Sequence, residues 1–240
     1  MNLFRKIRKP RFILGYSIAI ASFFLAHTTK QSLIIGAVIV LLGESIRLWA
    51  NGYVGHRKVN QTQGSGPTIG QLITAGPYAF VRHPLYFGTL IIGAGFCVIV
   101  GSPWLALVTF IFFIAVYHHK MAEEEETIRH EWGETFDRYQ RAVPQWFPTG
   151  RRYAQRHGEW SWAGIRASQE FKTLTWVIVV VILLFFRLEL LQEREPLLAG
   201  QPLLRLALLG LVTVLVLIDG IPKLRKWSGA ARSKATGAAG

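Results

Sequence analysis

"TLTWVIVVVILLFF", residues 173–186, carries no charged side chain and almost no polar one. Comparable apolar runs recur at about 12–26, 33–50, 88–100, 104–117 and 203–220, and with 173–190 they make six stretches that cross or nearly cross a bilayer. The fold class this implies is all-α, a polytopic membrane bundle of about six segments with a helical cofactor-binding region outside the membrane. Only "GSPW", residues 101–104, separates the third and fourth runs, so they are expected to form a helical hairpin that reaches partway and turns on Gly101 and Pro103. The first run looks like the apolar part of a signal peptide. It lacks a small-residue cleavage site and leads quickly into a second span, so it is expected to remain as an anchor.

Between the oily runs the chain is strongly basic. Its 240 residues are 51% hydrophobic, yet the formal net charge is +13. The pI is near 10.3 with a mean hydropathy of +0.30, so apolar runs and cations are segregated along the sequence. A nucleic-acid binder shares such a pI but needs no long uncharged runs, and no helix-turn-helix, zinc-finger or RNA-binding signature is present; no nucleic-acid partner is expected. Cys97, the single cysteine, excludes an internal disulfide and a cysteine-rich metal site, and it reads as core filling with no metal expected. Basic blocks stand at "RKIRKPR" (5–11), "HRK" (56–58), "GRRYAQRH" (150–157) and "PKLRKWSGAARSK" (222–234). With six spans all four fall on one side, which the positive-inside rule assigns to the cytoplasm together with both termini. The expected organisation is a two-helix anchor at 1–50, a catalytic core at 51–148, a basic linker and second two-helix anchor at 149–228, and a disordered tail at 229–240.

The polar segments at about 51–87 and 118–172 flank the hairpin. In the second, Ile128, Trp132, Phe136, Tyr139 and Val143 follow steps of four, four, three and four, one face of a helix. At about 100° per residue, Glu124 and Glu125 project onto that face, while Glu123 and Glu126 project away. Taken alone, "EEEE" also reads as a solvated acidic face near a helix N-terminus. An inward carboxylate pair is expensive unless a cation meets it. The cations on offer are Arg82 and His83 of "GPYAFVRHPLYFG", residues 76–88. Alone, these too have plainer readings: a snorkelling arginine at a membrane boundary, a locally satisfied histidine, and an X-Pro step that simply starts a helix.

In combination, "TAGPYAFVRHPLYFG", a hairpin, "EEEE" and "EWGETFDRYQRAVPQWFP" resemble the isoprenylcysteine carboxyl methyltransferases and their phospholipid methyltransferase relatives. The family pattern T-x-G-x-Y, R-H-P-x-Y-x-G, E-E, F-G-x-x-Y-x-x-Y and V-P is followed from Thr74 to Pro148, with Trp132 where phenylalanine is usual and Phe136 where tyrosine is usual. The first and last spans carry no specific motif.

The resemblance implies S-adenosylmethionine as cofactor, a lipid-linked or otherwise lipophilic acceptor, and a site at the membrane interface where a soluble and a lipid-borne substrate meet. Arg82 and Glu124 are the catalytic residues it implies. Gly76, Tyr78, His83, Pro84, Tyr86, Glu123, Glu125 and Tyr139 are the implied cofactor-binding residues, Glu123 entering through the alternative register of the acidic run. A glutamate receives the cofactor ammonium, Arg82 and His83 hold its carboxylate or Arg82 orients an anionic acceptor, and the tyrosines line the cofactor. A prenylated cysteine carboxylate is the first acceptor and a phospholipid amine the alternative. A sterol-type reductase shares an "RH-P"-like segment but needs no downstream E-E, Tyr and V-P block, and a non-catalytic scaffold needs neither. Glu44 and Arg47, three apart on the second span, are expected to pair with each other.

Overall fold

The computed structural model describes residues 20–54 except 22, residues 72–196 except 169, and residues 200–237, with side chains as far as residue 221. Every regular element among the described residues is helical. The chain divides into two compact units, Met1–Phe171 and Lys172–Gly240.

In the first unit, α1 (Lys30–Val54) runs antiparallel against α2 (Pro84–Val100). Glycines let the two backbones touch: a Cβ on Gly36 would lie 2.6 Å from the Gly95 carbonyl oxygen, and one on Gly43 would lie 2.7 Å from that of Gly88. Close approach through small residues is how helices pair where lipid removes the hydrophobic drive between them. Proline fits at the first helical position, and α2 accordingly starts at Pro84 behind His83 and ends at Gly101, whose φ of 67° is left-handed. The His27 amide closes this end by donating to the Val100 carbonyl at 2.8 Å.

The turn on Gly101 and Pro103 is as expected, with the Ser102 hydroxyl accepting from the Leu105 amide at 3.4 Å. The following helix differs from expectation. The run 104–117 is the first half of α3 (Pro103–Trp132), a helix of 30 residues. It continues through the glutamates because Lys120, Met121, Ala122 and Glu123–Glu126 are strong helix formers and nothing there breaks the ladder. The break comes at Gly133 (φ 47°, ψ −124°), after which α4 spans Glu134–Ala142. The apolar face read as one helix is therefore divided between two, yet both halves bury together: Ile128, Phe136, Tyr139 and Val143 form one cluster, with Leu72, Trp132 and Tyr153 against it.

The chain then returns along the segment before α2 and is laced to it by backbone bonds. Arg82 N–H donates to Pro144 O at 2.8 Å, Tyr153 N–H to Ala79 O at 2.9 Å and Thr74 N–H to His157 O at 2.9 Å. A short α5 (Trp162–Ala167) is capped by the Ser161 hydroxyl, which accepts from Gly164 N–H at 3.0 Å.

The helix α6 (Glu170–Phe186) begins at the end of the first unit and continues as a wider π turn over Arg187–Gln192. In the second unit the buried Arg205, on α7 (Pro202–Gly237), bonds Glu189 Oε2 at 2.5 Å and also grips Glu195. The last helix, α7, extends to Gly237.

Four helices among the described residues are long and apolar enough to cross a membrane: Lys30–Val54, Pro103–Trp132, Glu170–Gln192 and Pro202–Ile221. That is the pattern of a multi-pass integral membrane protein. Of the six expected segments, 88–100 lies in the shorter apolar helix Pro84–Val100. The run 12–26 falls mostly outside the described residues, with Ile20, Ala21 and Phe23–Leu25 helical.

Candidate active site

The site is assembled from three pieces of backbone: the extended residues ahead of α2, the second half of α3, and α4. Pro84 fixes the start of α2 and leaves His83 just outside the helix, its side chain directed at α3. His83 Nε2 lies 2.9 Å from Glu125 Oε1, and His83 Nδ1 lies 3.8 Å from Glu124 Oε2. The Tyr86 hydroxyl, one turn into α2, donates to Glu124 Oε1 at 2.5 Å. Arg82 Nε comes within 3.4 Å of Glu125 Oε1, so one carboxylate faces both the imidazole and the guanidinium.

Arg82 is not fully satisfied by this contact. Its Nε and Nη1 are buried and make no hydrogen bond. Buried guanidinium donors without acceptors cost about 1–3 kcal/mol each, and a site that binds an anion recovers that cost. Burial pulls the Arg82 pKa below its usual value and the neighbouring Glu125 carboxylate opposes the drop, so the group stays cationic.

Helical phase decides which glutamates meet these two side chains. Glu125 is buried and Glu124 half-buried, whereas Glu123 and Glu126 are exposed. Glu123 pairs with His119 and Lys120, each at 3.2 Å, and Glu126 with Arg129 at 3.5 Å, all on the outer face of α3. Arg82, His83, Tyr86, Glu124 and Glu125 are thus brought together, and Glu123 is turned away from them.

Tyr78 and Tyr139 form the floor. Both rings are buried, and the Tyr139 hydroxyl donates to the Tyr78 carbonyl at 2.7 Å. Burial raises both phenol pKa values, helped at Tyr78 by the Glu124 charge, and both keep their protons. Gly76 stands further out. Its φ is 61° and a Cβ there would meet the Tyr53 ring at 2.1 Å, so only glycine fits the turn that leads Tyr78 into the floor.

Sequence reasoning missed two partners. Tyr117 packs its ring 4.9 Å from that of Tyr86, and it lies seven residues before Glu124, two turns along the same face, a spacing that would have revealed it. Gln140 donates to Glu125 Oε2 at 3.1 Å and accepts from Arg129 at 2.5 Å. Because Gln140 lies beyond the Gly133 break, no periodicity links it to Glu125. Arg47 and Glu44 do not pair as expected. Arg47 reaches Glu170 instead, at 2.6 Å and 2.9 Å, and the buried Glu44 carboxyl makes no hydrogen bond.

Residues 31–135 match the phospholipid methyltransferase family. Protein-S-isoprenylcysteine O-methyltransferase of Xenopus laevis is 28% identical over 115 residues, 48% of this chain and 40% of that protein. The nickel-cobalt-cadmium resistance protein NccN of Alcaligenes xylosoxydans xylosoxydans is 29% identical over 116 residues, and the cobalt-zinc-cadmium resistance protein CzcN of Cupriavidus metallidurans is 30% identical over 130 residues. The matched regions span 49% and 54% of those two proteins, so the chain covers about half or less of the relatives it matches. No solved structure matches the chain.

Proposed function

We propose that this protein, a distant homologue of the isoprenylcysteine methyltransferases within the phospholipid methyltransferase family, transfers a methyl group from S-adenosylmethionine to a lipophilic acceptor. The observation that carries the reading is the pair of unbonded, buried Arg82 donors beside the His83–Glu125 contact. A zwitterionic ligand suits this arrangement: its carboxylate takes the free guanidinium donors, and its ammonium is drawn to Glu124, the half-buried carboxylate of the pair.

When bound, S-adenosylmethionine supplies a methyl on a sulfonium, and the C–S bond breaks as the bond to the acceptor oxygen or nitrogen forms, leaving a neutral thioether. The residues of the chain contribute position and exclusion of water, and no covalent enzyme intermediate is required. Tyr78, Tyr86 and Tyr139 offer aromatic faces that attract a cation, and the protonated tyrosines of the floor add no charge to oppose the sulfonium. His83, braced by both glutamates, holds the wall of the site in register.

A carboxylate acceptor loses no proton on methylation, which suits a site whose acidic residues are already engaged by His83, Tyr86, Arg82 and Gln140. This favours a prenylated cysteine carboxylate over a phospholipid amine, which must first be deprotonated. The names of the two resistance proteins state a role and no reaction. A metal site in the second unit gains little support: the carboxylates of Glu189, Glu193 and Glu195 lie within 4.8 Å of one another, but Arg205 occupies Glu189 and Glu195.

The test is binding of S-adenosylmethionine and of NADPH to detergent-purified protein by calorimetry, followed by transfer of labelled methyl to farnesylcysteine and to phosphatidylethanolamine. Binding of S-adenosylmethionine alone, with label on the farnesylcysteine carboxyl, is the expected result. Binding of NADPH instead would replace this reading with a reductase.

A further inference from the structure

A second polar cluster lies beside the site. Arg47, on α1, extends its side chain over α2 at Gly88, where an added Cβ would lie 2.6 Å from Arg47 Cγ. On the far side its Nη1 donates to the Leu85 carbonyl at 3.3 Å and to the Thr89 hydroxyl. Its other edge is held by Glu170, with Nε to Oε1 at 2.6 Å and Nη2 to Oε2 at 2.9 Å. Asn51 donates to the same Glu170 oxygen at 2.9 Å, and Glu170 itself is buried. One planar fork therefore bonds α1, the first turns of α2 and the start of α6 simultaneously, which a point-charge ammonium cannot do.

The first turn of α2 begins at Pro84, with His83 outside it and Tyr86 inside it. Leu85 lies between His83 and Tyr86, which touch Glu125 and Glu124 respectively. We propose that Arg47, held by Glu170 and seated on Gly88, is a positioning residue that sets the first turn of α2 and through it the approach of His83 and Tyr86 to the glutamate pair. The glycine that closes "RHPLYFG" then has a specific task, which is to leave room for the Arg47 side chain. Glu44, three residues before Arg47, lies in the field of both Glu170 and Arg47 but does not bond the guanidinium.

The proposal rests on the methyl-transfer reading of the site. The experiment compares wild type with Arg47→Lys, Glu170→Gln and Glu44→Gln in detergent, reading S-adenosylmethionine affinity, thermal unfolding, and amide hydrogen exchange of residues 83–90 without cofactor. Arg47→Lys is expected to hold a near wild-type Tm while weakening S-adenosylmethionine about tenfold and raising exchange in 83–90, because charge is retained and the fork is lost. Glu170→Gln should weaken affinity similarly, and Glu44→Gln, which removes no bond to the guanidinium, should weaken it less. Wild-type affinity in Arg47→Lys, or a larger effect of Glu44→Gln than of Glu170→Gln, overturns the clamp and leaves the methyl-transfer reading standing. A wild-type protein that binds no S-adenosylmethionine removes that reading and the positioning role with it. Unchanged exchange in 83–90 alongside a weakened affinity shows that Arg47 acts otherwise than through the first turn of α2 and overturns the positioning role.

Discussion

Glu124 and Glu125 differ from their neighbours by one step of helical rotation, and that step separates a carboxylate facing Arg82 and His83 from one facing solvent. Replacing Glu125 by alanine removes the partner of His83 and Gln140 and the paired carboxylate of Arg82 together, and leaves the buried guanidinium uncompensated there. Charge-assisted hydrogen bonds contribute about 1.5–3 kcal/mol each, so Glu125→Ala is expected to weaken S-adenosylmethionine by on the order of 10- to 100-fold. Glu124→Ala should fall in the same range, and Glu126→Ala, an exposed member of an i,i+3 surface pair, should change affinity by less than about twofold. Equal losses across the three variants, measured by calorimetry, would refute the assignment by helical phase. Arg82→Lys makes a complementary test. It keeps the charge and removes the two unbonded donors, so affinity should drop by about tenfold while the Tm holds.

At the scale of elements, the backbone conformation of Gly133 directs α4 back toward α3. Its φ of 47° with ψ of −124° is a region essentially restricted to glycine, and holding another residue there costs about 1–3 kcal/mol. Gly133→Ala is therefore expected to lower the Tm measurably and to loosen Gln140 from Glu125, seen as a weaker S-adenosylmethionine affinity of a few-fold; an unchanged Tm and affinity would mean that α3 and α4 dock without this turn. The same residue shows what could be read from the chain and what could not. The inward phase of Glu124 and Glu125 was legible because rotation per residue is fixed within one helix. The break was not, because the apolar steps from Ile128 to Val143 continue undisturbed across Gly133 and both helices bury them in one cluster. That Arg82 and His83 meet the glutamates was suggested by an inward carboxylate pair's need of a cation, and the family resemblance weighed it above the plainer readings of each residue. The Arg47–Glu170 bond joins residues far apart in sequence, and no local rule favours it over the nearer Glu44.

For the whole molecule, the question is which segments share a side of the membrane. The Thr74 amide donates to the His157 carbonyl, and the Thr74 hydroxyl donates to the Gln155 carbonyl at 2.7 Å while accepting from the His157 amide at 2.9 Å. Segments on opposite faces of a bilayer cannot be hydrogen-bonded, so Thr74 and residues 155–157 lie on one side of it. The helix Glu170–Gln192 is long and apolar enough to cross, so Arg194 at its far end is expected on the opposite side from Arg156. Lys and Arg concentrate at 56–58 and 150–157, and by the positive-inside rule these positions and the candidate site are expected to face the cytoplasm. Cys97 is the sole thiol, so a Cys97→Ala background is blank to a membrane-impermeant maleimide. In that background, Gln63→Cys and Arg156→Cys should resist labelling in intact cells and react after permeabilisation, and Arg194→Cys should react in intact cells. Labelling of positions 63 and 156 from opposite sides would break the pairing of the two loops, and labelling of 156 and 194 from the same side would remove the crossing by Glu170–Gln192.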